Sequence, residues 1–263
     1  MSWLRRKIPK INFSLTYRVT VLFLLLGLSL ACLFNHLKIE AVNESENFIF
    51  PYDAFGQVEI SIILERTLDG EVFIAQFSSS GSGSVVDIID EESIVLTANH
   101  VCNPFEDSSS LQPSVSVRSK YLEVTSYYGE TYHAEVLYSD SDYDLCLLRV
   151  EGLWATPVAI SHSPAYVGER VYNMGAPSGF FAPGMVPLFD GYASGNIGRL
   201  GYQNSIYTIP TRGGSSGSPV LNSEGEIIGV IHSAIAEVEN VAIACTWDEL
   251  QDFMDRYEYL FKN

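Results

Sequence analysis

Basic residues are scarce in this chain, and they are unevenly placed. Of 263 residues only 15 are Lys or Arg, against 32 Asp or Glu. Six of those 15 (Arg5, Arg6, Lys7, Lys10, Arg18 and Lys38) fall in the first 40 residues beside one acid, Glu40, so the remainder holds 9 basic and 31 acidic side chains. A body this anionic lacks the cations that phosphate contacts need, which excludes nucleic acid as a partner. It also disfavours acidic substrates. Cysteine is sparse too: Cys32, Cys102, Cys146 and Cys245. Their spacing matches no zinc site, and neither metal nor cofactor is expected. The three in the body allow at most one bridge and leave a thiol. Cys146, inside an apolar strand, reads as a buried, inert thiol, and the pairing of Cys102 with Cys146 or Cys245 stays open. A helical period is missing from most of the body, which argues against an α-rich fold.

Long apolar runs are missing as well, with one exception. Val19–Phe34 is interrupted only by Thr20, Gly27 and Ser29. It is slightly short for a bilayer span of ~17–25 residues, although Tyr17 and Leu37 could extend it. Basic residues in front of it stay in the cytoplasm, so the body is expected to be exported. Residues 1–40 therefore read as a signal or membrane anchor, with residues 19–34 as the membrane contact. Three fates compete: retention as an anchor, cleavage after Ser29-Leu30-Ala31, or lipidation of Cys32. Leu-Ser-Leu-Ala-Cys only loosely resembles a lipobox, which ranks lipidation last. Residues 41–55 read as a polar linker.

The body reads as strands. Val58, Ile60, Ile62 and Leu64 alternate with polar residues, the pattern of a half-buried strand. Asp69-Gly70 supplies a hairpin turn, and Gly81-Ser82-Gly83-Ser84 is expected to turn again. Further strands are expected at Phe73–Phe77, Val85–Ile89, Ser93–Ala98, Val115–Arg118, Leu122–Tyr127, Tyr132–Tyr138 and Leu145–Val150. Short strands between turn signals predict a closed β-barrel over residues 56–152. A second lobe, residues 153–263, contains Pro157–Ile160, Glu169–Met174, Asp190–Gly198, Ile206–Ile209, Ser218–Leu221, Glu226–Ser233 and Val241–Cys245. The chain ends in a helix: Thr246 and Glu249 form a capping box. Leu250, Phe253, Met254, Tyr257 and Phe261 give it one apolar face, expected to pack against the second barrel.

The chemistry gathers on Gly213-Gly214-Ser215-Ser216-Gly217-Ser218-Pro219. Glycines permit a tight turn that holds one hydroxyl forward and aims successive N–H groups at one point. Acyl transfer needs that arrangement: a Ser nucleophile, and donors for the oxyanion. Ser216 is the candidate nucleophile, with the N–H groups of Gly214 and Ser216 as the oxyanion hole. Alone, the stretch would be an ordinary Gly/Ser turn. Two others change that reading. Leu96-Thr97-Ala98-Asn99-His100 puts a His just after an apolar strand. Asp144-Leu145-Cys146-Leu147-Leu148 puts an Asp at the mouth of another. His36, His133 and His162 lack such a context. Asp140 and Asp142 lack a following strand.

The order His100, Asp144, Ser216 is that of the chymotrypsin class. Thr97-Ala98-Asn99-His100, Asp144-Leu145-Cys146-Leu147-Leu148 and Gly214-Ser215-Ser216-Gly217-Ser218-Pro219 resemble the three motifs of chymotrypsin-like (trypsin-like) serine proteases. In the last of them the chain is nearer to bacterial V8-like and HtrA-like members. The resemblance implies an all-β fold of two six-stranded antiparallel β-barrels and a serine endopeptidase with a polypeptide substrate. It gives His100 the role of general base, and Asp144 that of its orienting partner. A catalytically silent, membrane-tethered binding module is the alternative. Ser215 stands where trypsin-like zymogens carry an Asp that pairs with a freed N-terminus, so no such activation is expected.

Specificity is read from the same resemblance. Pro210 replaces the Asp that tryptic enzymes use. Thr211 resembles a pocket Thr of V8-like enzymes, but Ile231 stands where their pocket His falls. His232, one residue on, faces the other side of its strand. An apolar wall at Ile231 favours a small or aliphatic residue before the cleaved bond. His232-Ser233-Ala234 would pair with substrate backbone. Pro177–Pro187, with Phe180, Phe181 and Met185, is unusually apolar for a loop; lining the cleft, touching a membrane and simple packing are all open to it, with packing as the default.

Overall fold

The structure, a computed structural model, describes residues 49–68, 71–105, 115–199, 202–235 and 238–262. The segment expected to be a signal or anchor, residues 1–40, and residues 41–48 of the expected linker lie outside them. Among the described residues no helix is long and apolar enough to cross a membrane.

Two six-stranded antiparallel barrels make up the body, and both belong to one compact unit, Phe48–Asn263. The first contains β1 (Phe55–Leu68), β2 (Glu71–Ile89), β3 (Glu92–Ala98), β4 (Val115–Ser126), β5 (Thr131–Asp140) and β6 (Leu145–Glu151), closed in the order β1-β2-β3-β6-β5-β4. The second contains β7 (Arg170–Met174), β8 (Leu188–Arg199), β9 (Tyr202–Tyr207), β10 (Pro219–Leu221), β11 (Ile227–Ala234) and β12 (Ala242–Ala244), closed as β10-β11-β12-β9-β8-β7. Side chains of a strand alternate between faces. In β1 that places Val58, Ile60 and Ile62 in the core while Glu59 faces solvent.

Several expected boundaries shift. Gly81-Ser82-Gly83-Ser84 is not a turn: β2 runs straight through it, paired with Gln57, Val58 and their neighbours in β1. The glycines serve close approach instead. A Cβ on Gly81 would lie 2.8 Å from the Ser216 carbonyl, and one on Gly83 3.0 Å from the Leu96 carbonyl. Val115–Arg118 and Leu122–Tyr127 merge into β4. Pro157–Ile160 forms no strand, only a single bridge from Ile160 to Ile227. Ile209 lies beyond β9, fully buried.

The capping box forms as expected: Thr246 Oγ1 accepts from the Glu249 N–H and the Glu249 carboxylate accepts from the Thr246 N–H. It starts the terminal helix, Trp247–Phe261. The docking takes in the second barrel, as expected, and adds the first. Phe253 stacks on Tyr138 of β5 with ring centroids 4.9 Å apart, and the Tyr257 hydroxyl donates to Asp87 of β2 at 2.8 Å. Both contacts are with the first barrel. Leu250, Phe253 and Tyr257 share one core with residues of both barrels, among them Leu147, Leu221 and Val230. The helix is a strap between the lobes. Burial and the Asp87 carboxylate raise the Tyr257 hydroxyl above its ordinary pKa, so it stays a donor.

Cys146 is not a thiol. It forms a disulfide with Cys102, and among the described residues Cys245 is the free, buried cysteine. Burial pushes the Cys245 thiol up to about 12, which keeps it protonated and inert. The bridge closes a loop with a sequence separation of 44. Such a loop is worth roughly 2–4 kcal/mol through the unfolded chain. Replacing Cys102 and Cys146 together by Ala should lower Tm by about 5–15 °C for a body of this size. A melt shifted by less than about 2 °C would show that the bridge constrains little.

Candidate active site

His100 is delivered by β3, which ends at Ala98 and continues into a single turn of helix, Asn99–Cys102. Asp144 precedes β6, and β3 pairs with β6 through Thr97–Cys146 and Ala98–Leu145. The strand register therefore sets the two residues side by side. The Asn99 N–H donates to the Asp144 carbonyl at 3.0 Å. Cys102 and Cys146, each two residues further on, are covalently joined. Asp144 takes φ +53°, the left-handed region, which turns its side chain back toward the helix. Both carboxylate oxygens meet His100. Oδ1 accepts its backbone N–H at 2.8 Å, and Oδ2 lies 2.7 Å from Nδ1. The imidazole remains about half exposed.

Ser216 lies in the turn between β9 and β10. Gly214 has φ +94° and Gly217 φ +84°, conformations that only glycine adopts without strain. A Cβ on Gly214 would strike the Ala176 carbonyl, and one on Gly217 the Ser82 carbonyl and the Thr97 hydroxyl. Thr97 sits three residues before His100, so Gly217 brings Ser216 against the His-bearing strand. The Ser216 hydroxyl donates to the His232 carbonyl at 3.5 Å, a long bond that a side-chain rotation gives up. Neither the Gly214 nor the Ser216 amide N–H has an acceptor among the described residues. Ser215, as its lack of charge suggests, is used locally: its hydroxyl accepts from the Arg212 N–H at 3.2 Å.

Beside Ser216 opens a cavity of about 290 Å³. Thr211, Ile231, Ser233 and Ala234 line it, and His232 does not. The His232 ring turns away, with Nε2 3.0 Å from Asn204 Oδ1. Burial lowers its pKa; the Asp144 carboxylate opposes that shift and His100 adds to it. His232 thus lies within the field of the His100–Asp144 pair. Arg212, Ile235, Val238 and Asn240 also line the cavity and are not singled out by the sequence. Ile235, Val238 and Asn240 fall on a loop with no motif. The Thr211 hydroxyl is engaged with the Val241 carbonyl at 3.4 Å, leaving its methyl group as wall.

In the Pro177–Pro187 loop, Phe181 packs on Phe55 at 5.2 Å, while Phe180 stands 65% exposed. The loop has a second contact that the sequence does not signal. The Ser178 N–H, from a residue at φ +55°, donates to the Gly213 carbonyl at 2.5 Å. Among the described residues no cluster of His, Cys, Asp and Glu could hold a metal ion. A hydroxyl, a base with an oriented tautomer and two unpaired N–H donors suit acyl transfer.

A profile of the trypsin-like peptidase domain matches residues 81–230. Among curated proteins, the glutamyl endopeptidase of Staphylococcus epidermidis is 28% identical over 188 residues, 66% of this chain and 61% of that protein. The serine protease Do-like HtrA of Bacillus subtilis is 31% identical over 180 residues, 64% of this chain and 36% of that one. The chain thus spans about three-fifths, or about a third, of the relatives it matches. Among solved structures, the Rv3671c protease of M. tuberculosis in its active form matches with a TM-score of 0.54 at 18% identity, covering 78% of this chain and 81% of that one. The serine endoprotease from Yersinia pestis matches with a TM-score of 0.55 at 19% identity, covering 78% and 63%. At such identities the likeness speaks for the fold.

Proposed function

Since the chain belongs to the trypsin-like peptidase domain family, we propose that it is a serine endopeptidase whose triad is His100, Asp144 and Ser216. The observation that carries this reading is the two-oxygen hold of Asp144 on His100. A carboxylate bonded to Nδ1–H leaves the lone pair on Nε2, where a base needs it. Ser216 Oγ attacks the scissile carbonyl as its proton passes to Nε2. The tetrahedral oxyanion is received by the N–H groups of Gly214 and Ser216. His100 then protonates the leaving amine, and water frees the acyl group by the same path reversed. No metal or cofactor enters these steps.

The pocket favours a small or aliphatic residue before the cleaved bond. Ile231, Ala234, Ile235 and Val238 supply the apolar walls. Ser233 and Ala234, with the His232 backbone, form the edge on which the substrate chain would lie. A peptide library is expected to show cleavage after Ala, Val, Ile or Leu. Cleavage after Glu or Asp would overturn this assignment and point to Arg212 at the rim. A fluorophosphonate should label Ser216. Absence of label on folded protein would favour the silent binding module. The basic residues ahead of residues 19–34 support export, with that run as membrane anchor or cleaved signal. Mass spectrometry of the mature protein distinguishes the two.

A further inference from the structure

The oxyanion turn is held by its carbonyls. In a trans peptide the C=O and the next N–H point in opposite directions. Fixing each carbonyl from behind therefore aims the following N–H. The Gly213 carbonyl is held by the Ser178 N–H at 2.5 Å, which turns the Gly214 N–H outward. The Ser215 carbonyl accepts from the Ser218 hydroxyl at 2.6 Å and the Ser218 N–H at 3.1 Å, which turns the Ser216 N–H outward. The remaining two carbonyls, of Gly214 and Ser216, aim no hole donor directly. They belong to the peptides that follow the two donor residues, so holding them pins each donor residue between two fixed peptide planes, and both are held by one residue of the other barrel, Ser82. Its hydroxyl donates to the Gly214 carbonyl at 2.8 Å, and its N–H to the Ser216 carbonyl at 2.7 Å.

Ser82 is itself fully buried and held on its other sides. Its carbonyl accepts the Thr97 hydroxyl at 2.8 Å, and its hydroxyl accepts the Ala176 N–H at 2.9 Å. The Ala176 contact joins it to the loop that carries Ser178. One hydroxyl thus connects the first barrel, the oxyanion turn and the loop behind that turn. The glycines on either side of Ser82 let the strands come close enough for these bonds.

We propose that Ser82 is a positioning residue for the oxyanion hole, acting through its hydroxyl on the Gly214 carbonyl. The proposal rests on the peptidase reading above. Removing a hole donor outright lowers kcat by about 10²–10³. Loosening one at second hand should cost about 10–100-fold. In the full chain, Ser82→Ala is expected to lower kcat by that factor with KM unchanged within about twofold. Affinity for a peptide aldehyde, which forms a tetrahedral adduct on the nucleophile, should fall by the same factor. Affinity for the N-terminal product peptide should not change. Ser82→Cys, which keeps a weak donor, should recover part of the loss. It also serves as the measured variant if Ser82→Ala does not fold. Unchanged kcat and aldehyde affinity in Ser82→Ala would overturn the proposal. So would equal losses of aldehyde and product affinity, or a lower Tm with unaltered kinetics. If the unaltered chain neither cleaves peptides nor takes the fluorophosphonate, the peptidase reading itself has failed, a result distinct from these.

Discussion

Ser216→Ala is expected to lower kcat by about 10⁴–10⁶ and to leave KM within a few-fold. The substitution removes one oxygen. That oxygen makes one long hydrogen bond, 3.5 Å to the His232 carbonyl, so the fold loses almost nothing and Tm should move by no more than about 2 °C. The unpaired N–H groups of Gly214 and Ser216 remain, since the turn is held by its backbone. A water molecule would then have to attack in place of Oγ, assisted by the hole and by binding alone. These can supply roughly 10³–10⁴ over the uncatalysed reaction. The measurement is peptide hydrolysis by the purified variant, with fluorophosphonate labelling as a control that must vanish. A variant retaining a tenth of the activity would place the nucleophile elsewhere. Neighbouring Ser215 and Ser218 would be poor replacements, because both hydroxyls are committed to the turn itself.

What the sequence makes legible divides along physical lines. His100 and Asp144 are readable because one follows the end of an apolar strand and the other precedes the start of one, and strand boundaries are defined by local pattern. The capping box of the terminal helix is local in the same sense. Residues that act across the chain leave no such trace. Gly81-Ser82-Gly83-Ser84 is compatible with a turn or with a strand crowded by another backbone. Pairing with Phe55–Val58 of β1, together with the approach of Ser216 and Val101, decides for the strand. Ser82 has no neighbour in sequence that hints at Gly214, 132 positions away. The bridge from Cys102 to Cys146 follows from the β3–β6 register, which brings two apolar strands together, and no spacing rule encodes it. The helix face is correct in the sequence, and so is the second barrel as part of what it covers; the first-barrel contacts at Tyr138 and Asp87 are not signalled, because an apolar stripe does not name all its partners. In the pocket, alternation along β11 places Ile231 inside and His232 outside, whereas Val238 and Asn240 arrive on a loop with no period.

Asp144→Asn should reduce kcat by about 10⁴, or ~5 kcal/mol of transition-state stabilisation, at neutral pH. The reason is the occupancy of its two oxygens. Oδ1 receives the His100 backbone N–H, and Oδ2 faces Nδ1. Asn has one oxygen and one NH₂. The backbone N–H can only donate, so the amide oxygen must face it and the NH₂ must face Nδ1. An NH₂ donor requires a lone pair on Nδ1, which sends the imidazole proton to Nε2. The base then presents a proton to Ser216 where it needs an acceptor. The shape, the strand register and the Cys102–Cys146 bridge are unaffected, so the melting curve should stay close to that of the parent. NMR of the histidine nitrogens should report the Nε2–H tautomer for His100 in the variant and Nδ1–H in the parent. Activity within tenfold of the parent, or an unchanged tautomer, would mean that Asp144 does not orient the base. The carboxylate would then be a turn residue at the start of β6, accepting the His100 N–H as a helix cap does.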